Sequence, residues 1–130
     1  METHSPARLL WTPVLAYMAF ILALSSISRT PDLSSGSDKW LHAALYGGLA
    51  VLLVRALAGG WHRPVTMGVA LRAVAIATAY GVTDEFHQFF VPLRVLDGLD
   101  LLADFAGAAT AASVLAVWSR TIQGRRNRGV

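Results

Sequence analysis

Tyr80-Gly81-Val82-Thr83-Asp84-Glu85-Phe86-His87-Gln88 lies near the end of a long apolar run, yet its last five residues hold two carboxylates, an imidazole and an amide. Polar groups at that density inside or beside hydrocarbon cost free energy unless they pair with one another or face water, so the stretch marks a functional site by default. On a helix Asp84, His87 and Gln88 share one face through three- and four-residue spacing, while Glu85 is turned about 100° away. The apolar run begins near Val65 and continues to Val91. Setting Arg72 at one interface and Phe89-Phe90 at the other gives a helix of about 27 Å, close to a bilayer core of about 30 Å. In that frame the acidic pair lies about 7 to 10 Å below the surface, in a polar recess of a bundle rather than in lipid. A start at Val65 instead draws Arg72 into the membrane and leaves the pair interfacial.

Composition agrees with a membrane protein. Of 130 residues 55% are hydrophobic and 15% charged, where soluble domains average about 25% charged, and the mean hydropathy is +0.50. The length suits one domain, placed at residues 9–118 with a basic cytoplasmic tail at 119–130. With no cysteine, a disulfide framework, thiolate nucleophiles and Cys-type metal sites are excluded. The net charge of +3 resides mostly at span ends and in the tail, where Lys and Arg meet lipid head groups. No basic patch interleaved with aromatics accompanies it, so a nucleic-acid partner is not expected.

Three further spans flank the opening run. Leu9 to Leu24, continued by Ser25, Ser26 and Ser28, reaches the roughly 20 residues a spanning helix needs, with Pro13 expected in its first turn. A signal peptide with Arg8 as its basic flank is the rival reading, disfavoured by the length of the run and by the spans that follow. Residues 29–39 read as a loop, with Ser37 or Asp38 capping a second span from Trp40 to Ala58. After the break at Val91-Pro92-Leu93-Arg94, Asp97-Gly98 leads into a last span, Leu99 to Trp118, rich in Ala and Gly and therefore suited to close packing. The tail Arg120, Arg125, Arg126 and Arg128 reads as a cytoplasmic anchor, with disorder expected beyond it. The N-terminus, the His62-Arg63 loop and the tail carry Arg8, Arg63, Arg120, Arg125, Arg126 and Arg128; the other two loops carry Arg29, Lys39 and Arg94. Six against three predicts an all-α integral membrane four-helix bundle with both termini cytoplasmic and the opening stretch facing out.

Each outer helix end carries a polar stripe: Asp38, His42 and Tyr46 on the second span, Asp84, His87 and Gln88 on the third, Asp100 and Asp104 on the fourth, with Arg94 in the loop between the last two. Each group also has a plainer reading. Asp38 and Asp97 suit helix caps, Trp40 and Tyr46 an interfacial belt, and Arg55 and Arg72 snorkelling anchors. Asp104, a turn inside its helix, needs a partner or a proton, and Arg94, His42 and His87 are the candidates. Asp84, Glu85, His87 and His42 are metal-competent types, but their spacing is not His-Glu-x-x-His, so no metal and no cofactor is assigned. Ser25, Ser26 and Ser28 lie near the same end, but no motif marks a nucleophile.

Asp38-Lys39-x-x-His42-x-x-x-Tyr46, then Tyr80-Gly81-x-x-Asp84-Glu85-x-His87-Gln88-x-Phe90-x-Pro92-x-Arg94, then Asp100-x-x-x-Asp104-x-x-Gly107-Ala108 together resemble the VanZ-like family of small bacterial membrane proteins. The resemblance covers residues 38–108 and departs at Asp104, where the family usually has Asn, and at Ala111, often Gly. It implies a multi-pass protein of the bacterial cytoplasmic (inner) membrane, in a family named for a member associated with resistance to glycopeptides such as teicoplanin.

Three functions fit these residues. The first is a recess for an envelope component, a lipid-linked or glycopeptide-like head group, bound by Asp38, His42, Tyr46, Asp84, Glu85, His87, Gln88, Arg94, Asp100 and Asp104. The second is acid/base catalysis on such a head group by His42, Glu85 or His87. The third is a noncatalytic partner of another envelope protein, its polar residues a network that locks the bundle.

Overall fold

The computed structural model describes residues 7–28 and 35–129. Glu2, His4, Arg29 and Asp32 lie outside the described residues. The described chain is all-helical: α1 (Ala7–Ser25), α2 (Ser35–Ala58), α3 (Met67–Gln88) and α4 (Gly98–Arg128). The helices alternate in direction, so the C-terminal ends of α1 and α3 meet the N-terminal ends of α2 and α4. Ser25–Asp84 and His42–Asp104 contacts mark that end; Arg55–Leu9 and Val65–Ser119 contacts mark the other.

α1, α2 and α4 are long and apolar enough to cross a membrane. α3 is long enough, 22 residues or about 33 Å, but Arg72, Asp84 and Glu85 interrupt its apolar character. Leu15, Phe20, Leu71, Val114 and Val117 point outward, as lipid-facing residues do when there is no water to avoid. Arg72 is exposed on the outer face of α3, five residues after the helix start at Met67. Thr66 caps that start, its side chain accepting from Val69 N.

α2 and α4 form the most extensive pairing, and small residues allow it. Ala108, Ala112 and Ala116 recur every four residues on the buried side of α4. At the closest approach a Cβ added to Gly107 would lie 2.0 Å from the carbonyl oxygen of Ala43. A Cβ at Gly48 would lie 2.4 Å from the hydroxyl of Tyr17, and this second contact seats α1 on α2. The expected tight packing of the Ala- and Gly-rich span is therefore observed.

Three boundaries differ from the sequence reading. α2 starts at Ser35, so neither Ser37 nor Asp38 caps it and both fall in its first turns. Pro13 is not in the first turn of α1, because the helix begins at Ala7; it is an interior proline. Lacking an N–H, it leaves the carbonyl of Leu9 without its usual helical donor, and Arg55 NH1 donates to that oxygen at 3.4 Å. Arg55 also lies 5.8 Å from the ring centre of Trp61, so it joins α1 to the loop after α2 rather than only reaching for head groups. Finally, α4 does not end at Trp118 but continues through the basic tail to Arg128; Ser, Arg, Thr, Ile and Gln at 119–123 supply no helix breaker.

Candidate functional site

The four helix ends converge on a polar cluster with two halves. In the first, Asp84 of α3 is the hub. Its Oδ2 accepts from Ser25 Oγ at 2.7 Å, from Gln88 Nε2 at 3.2 Å and from Tyr46 OH at 3.3 Å. Asp84, Ser25, Gln88 and Tyr46 are all buried. Arg94 returns from the loop to donate NH1 to Gln88 Oε1 at 2.9 Å. The turn that aims it places Leu93 at φ 66°, a left-handed conformation costing a bulky residue about 1–3 kcal/mol.

The second half joins α2 to α4. His42 Nδ1 sits 2.8 Å from Asp104 Oδ1, and His42 Nε2 lies 3.7 Å from Asp100 Oδ2, too far for a hydrogen bond. Lys39 Nζ bridges Asp97, at 2.5 Å, and Asp100. Asp97 caps α4 by accepting from Leu99 N at 2.9 Å, while its own N–H donates to Glu85 Oε1 at 2.5 Å. The Lys39 ammonium and the Leu99 N–H hold the Asp97 carboxyl below the usual carboxylate range. Glu85, turned away from Asp84 on the helix wheel, is thereby aimed at the start of α4.

Gly81 lets the halves touch. A Cβ there would lie 2.9 Å from Asp104 Oδ2 and 3.3 Å from the Tyr46 ring. Ile21, Leu24, Ser25, His42, Asp84 and Arg94 border a gap of about 10 Å³, room for roughly one water-sized group. Two carboxylate oxygens in the cluster, Asp84 Oδ1 and Glu85 Oε2, are buried with no hydrogen-bond partner among the described residues, as is Arg94 Nε.

Eight of the ten residues singled out from the sequence are thus joined in one cluster, Asp38 lies beside His42 and Asp100 at its edge, and Asp104 finds His42 from its three candidate partners. His87 stands at the rim. Its Nε2 is 3.0 Å from Ser26 Oγ, whose hydroxyl also contacts Leu22 O at 2.7 Å. A serine hydroxyl has one proton; given to the backbone carbonyl, it leaves Ser26 as acceptor from His87, which is not an activated nucleophile. Gln88, one residue on, is instead 2% exposed. Sequence reading missed Ser25 and Lys39 and took Asp97 for a cap alone. Lys39 sits within the Asp38-to-His42 motif, but nothing in one sequence says that its partners lie on α4.

At the opposite end, Arg55, Trp61, His62, Arg63 and Arg126 line an open cleft of about 370 Å³. The acidic cluster and the basic cleft therefore occupy opposite ends of the bundle.

No curated protein and no solved structure matches the chain. The family described as VanZ/LLP1 does match, over residues 7–119, a range that takes in every residue of the cluster. With four helices that bring the Asp-Lys-x-x-His, Asp-Glu-x-His-Gln and Asp-x-x-x-Asp segments to one end, and a match across most of its length, the chain belongs to the VanZ/LLP1 family.

Proposed function

We propose that the acidic end of this bundle is an outward-facing recess, in the bacterial cytoplasmic membrane, that binds the polar head of a cell-envelope component. The observation carrying this reading is the pair of buried carboxylate oxygens, Asp84 Oδ1 and Glu85 Oε2, that have no partner among the described residues. Leaving such groups unsatisfied costs about 1–3 kcal/mol each, more when charged, so a ligand that donates to them gains what the bundle leaves unmade. The chemistry selects a donor-rich head group, with hydroxyls or an ammonium, as in lipid-linked sugars and glycopeptides. The gap of about 10 Å³, which Asp84 and Arg94 border, takes one such donor at a time, so the remainder of the head group would lie across the rim at Arg94.

The charge distribution supports the orientation. Arg63, Arg120, Arg125, Arg126 and Arg128 lie at the end away from the cluster, which favours a cytoplasmic location for that end and for both termini. A contribution to teicoplanin-type resistance is the phenotype such binding would give.

The test is detergent-purified protein incubated with total envelope lipid extract, followed by mass spectrometry of the intact complex. A retained polar-headed species, lost in Asp84→Asn and Glu85→Gln variants that still fold, is the expected result. An identical bound set in wild type and both variants overturns the reading. Chemically altered lipid precursors found only in cells making the protein would replace binding by catalysis.

A further inference from the structure

We propose that Asp38, His42 and Asp100 form a binding site for a divalent transition cation, zinc by its donor set, with Asp104 orienting the histidine from behind. One oxygen from each aspartate and one nitrogen of His42 all lie within 4.8 Å of one another. Asp38 and His42 are one turn apart on α2, and Asp100 faces them from the first turn of α4, so rigid helices carry all three.

His42 is arranged as a ligand. Asp104 Oδ1, 1% exposed as a residue, takes Nδ1 at 2.8 Å. A neutral imidazole that donates from Nδ1 carries its lone pair at Nε2, the atom directed toward Asp100. This carboxylate–histidine pairing is the outer-shell arrangement that fixes tautomer and ring angle in metal sites. The His42 Nε2 to Asp100 Oδ2 distance of 3.7 Å is too long for a hydrogen bond, yet close to the roughly 3.3–3.5 Å that separates two ligands on one tetrahedral ion with bonds of about 2.0–2.2 Å. Lys39 occupies the other oxygen of Asp100, Oδ1, and leaves Oδ2 to the cation.

One further observation points to a missing positive charge beside this site. Glu85 Oε2 is buried and without a partner among the described residues, and Glu85 interacts electrostatically with Asp100, His42 and Asp104. Two carboxylates and one imidazole satisfy three positions of a tetrahedral ion, and the fourth is open to water. The site is separate from the Asp84–Ser25–Gln88 half of the cluster and does not rest on the head-group reading.

The test uses the full chain in detergent, loaded with zinc, freed of excess ion and assayed against a chromophoric chelator, with cobalt substitution as the second readout. The expected result is about one zinc per chain and a cobalt visible spectrum of a tetrahedral nitrogen–oxygen site. His42→Ala and Asp100→Asn should abolish retention, Asp104→Asn should weaken affinity about 10–100-fold, and His62→Ala should change nothing. Folding of each variant is checked by circular dichroism and gel filtration. Should His42→Ala not fold, the cobalt spectrum of the wild type decides alone. No retained zinc in folded wild type, a cobalt spectrum with no tetrahedral band, or equal loss in His42→Ala and His62→Ala, overturns the site. No envelope ligand enters the experiment, so its failure leaves the recess reading standing.

Discussion

Replacing Gly107 by alanine should damage both the bundle and the site. The added Cβ would stand 2.0 Å from the Ala43 carbonyl oxygen and 2.7 Å from that residue's C and Cα. These are backbone atoms, so no side chain can swing aside. Restoring the ordinary 3.4 Å contact requires α2 and α4 to separate by roughly 1.4 Å. Overpacking of this kind costs about 1–3 kcal/mol, and the helix preference of Ala over Gly returns about 1 kcal/mol at most. One turn away, the separation carries the 2.8 Å His42–Asp104 contact out of hydrogen-bonding range, which adds about 1.5–3 kcal/mol for a bond to a charged group. A net loss of about 3 kcal/mol follows, a factor of more than about 100 in the unfolding equilibrium. The assay is unfolding by SDS in mixed micelles, followed by tryptophan fluorescence. Gly36→Ala, at a glycine with nothing within 4 Å, is the control and should unfold with the wild type or slightly later, by no more than the same helix preference. If Gly107→Ala also unfolds with the wild type, the close α2–α4 contact is wrong, and the placement of Asp104 against His42 with it.

Ser25→Ala removes the shortest bond to buried Asp84 and should cost about 1.5–3 kcal/mol in the same assay, whereas exposed Ser26→Ala should cost under about 1 kcal/mol. Tyr46→Phe keeps the buried ring and loses only a 3.3 Å bond, so a loss of about 0.5–1.5 kcal/mol is expected. Asp97 has a folded pKa below its unfolded value of about 3.9, so its contribution is full above that value and disappears as pH falls through the lower folded one. A melting temperature that drops on acidification below about pH 4, with a smaller drop in Asp97→Asn, is the expected result. Because the chain has no cysteine, single cysteines at exposed Leu93 and at Arg126 report sidedness directly. An impermeant thiol reagent added outside should label the first and spare the second.

Much of the fold was legible because lipid imposes a simple code: apolar runs near 20 residues, Gly and Pro breaks, and small residues where helices must touch. The stripes Asp38–His42, Asp84–Gln88 and Asp100–Asp104 were legible for the related reason that polar groups beside hydrocarbon need a use. What stayed hidden depends on register between helices. Lys39 reaches Asp97 and Asp100 across 58 and 61 residues of sequence, and Ser25 reaches Asp84 across 59. Helical spacing relates residues within one element and says nothing of rotation between two. The interior position of Pro13 was missed because Ala7 and Arg8 look like a polar lead, while the Arg55 side chain that answers it comes from another helix. The helical tail beyond Trp118 was missed because basic residues there mark an interface without marking a helix end.

The most direct measurement is photocrosslinking in intact bacterial membranes from a photoreactive residue at Leu24 or Leu45, beside the polar gap, and from another at Trp61 in the basic cleft. An envelope molecule with a donor-rich head should be enriched at positions 24 and 45, absent at 61, and lost when Asp84→Asn is added. The same mixture of bulk lipids at all three positions would contradict a binding recess and leave the cluster a structural lock.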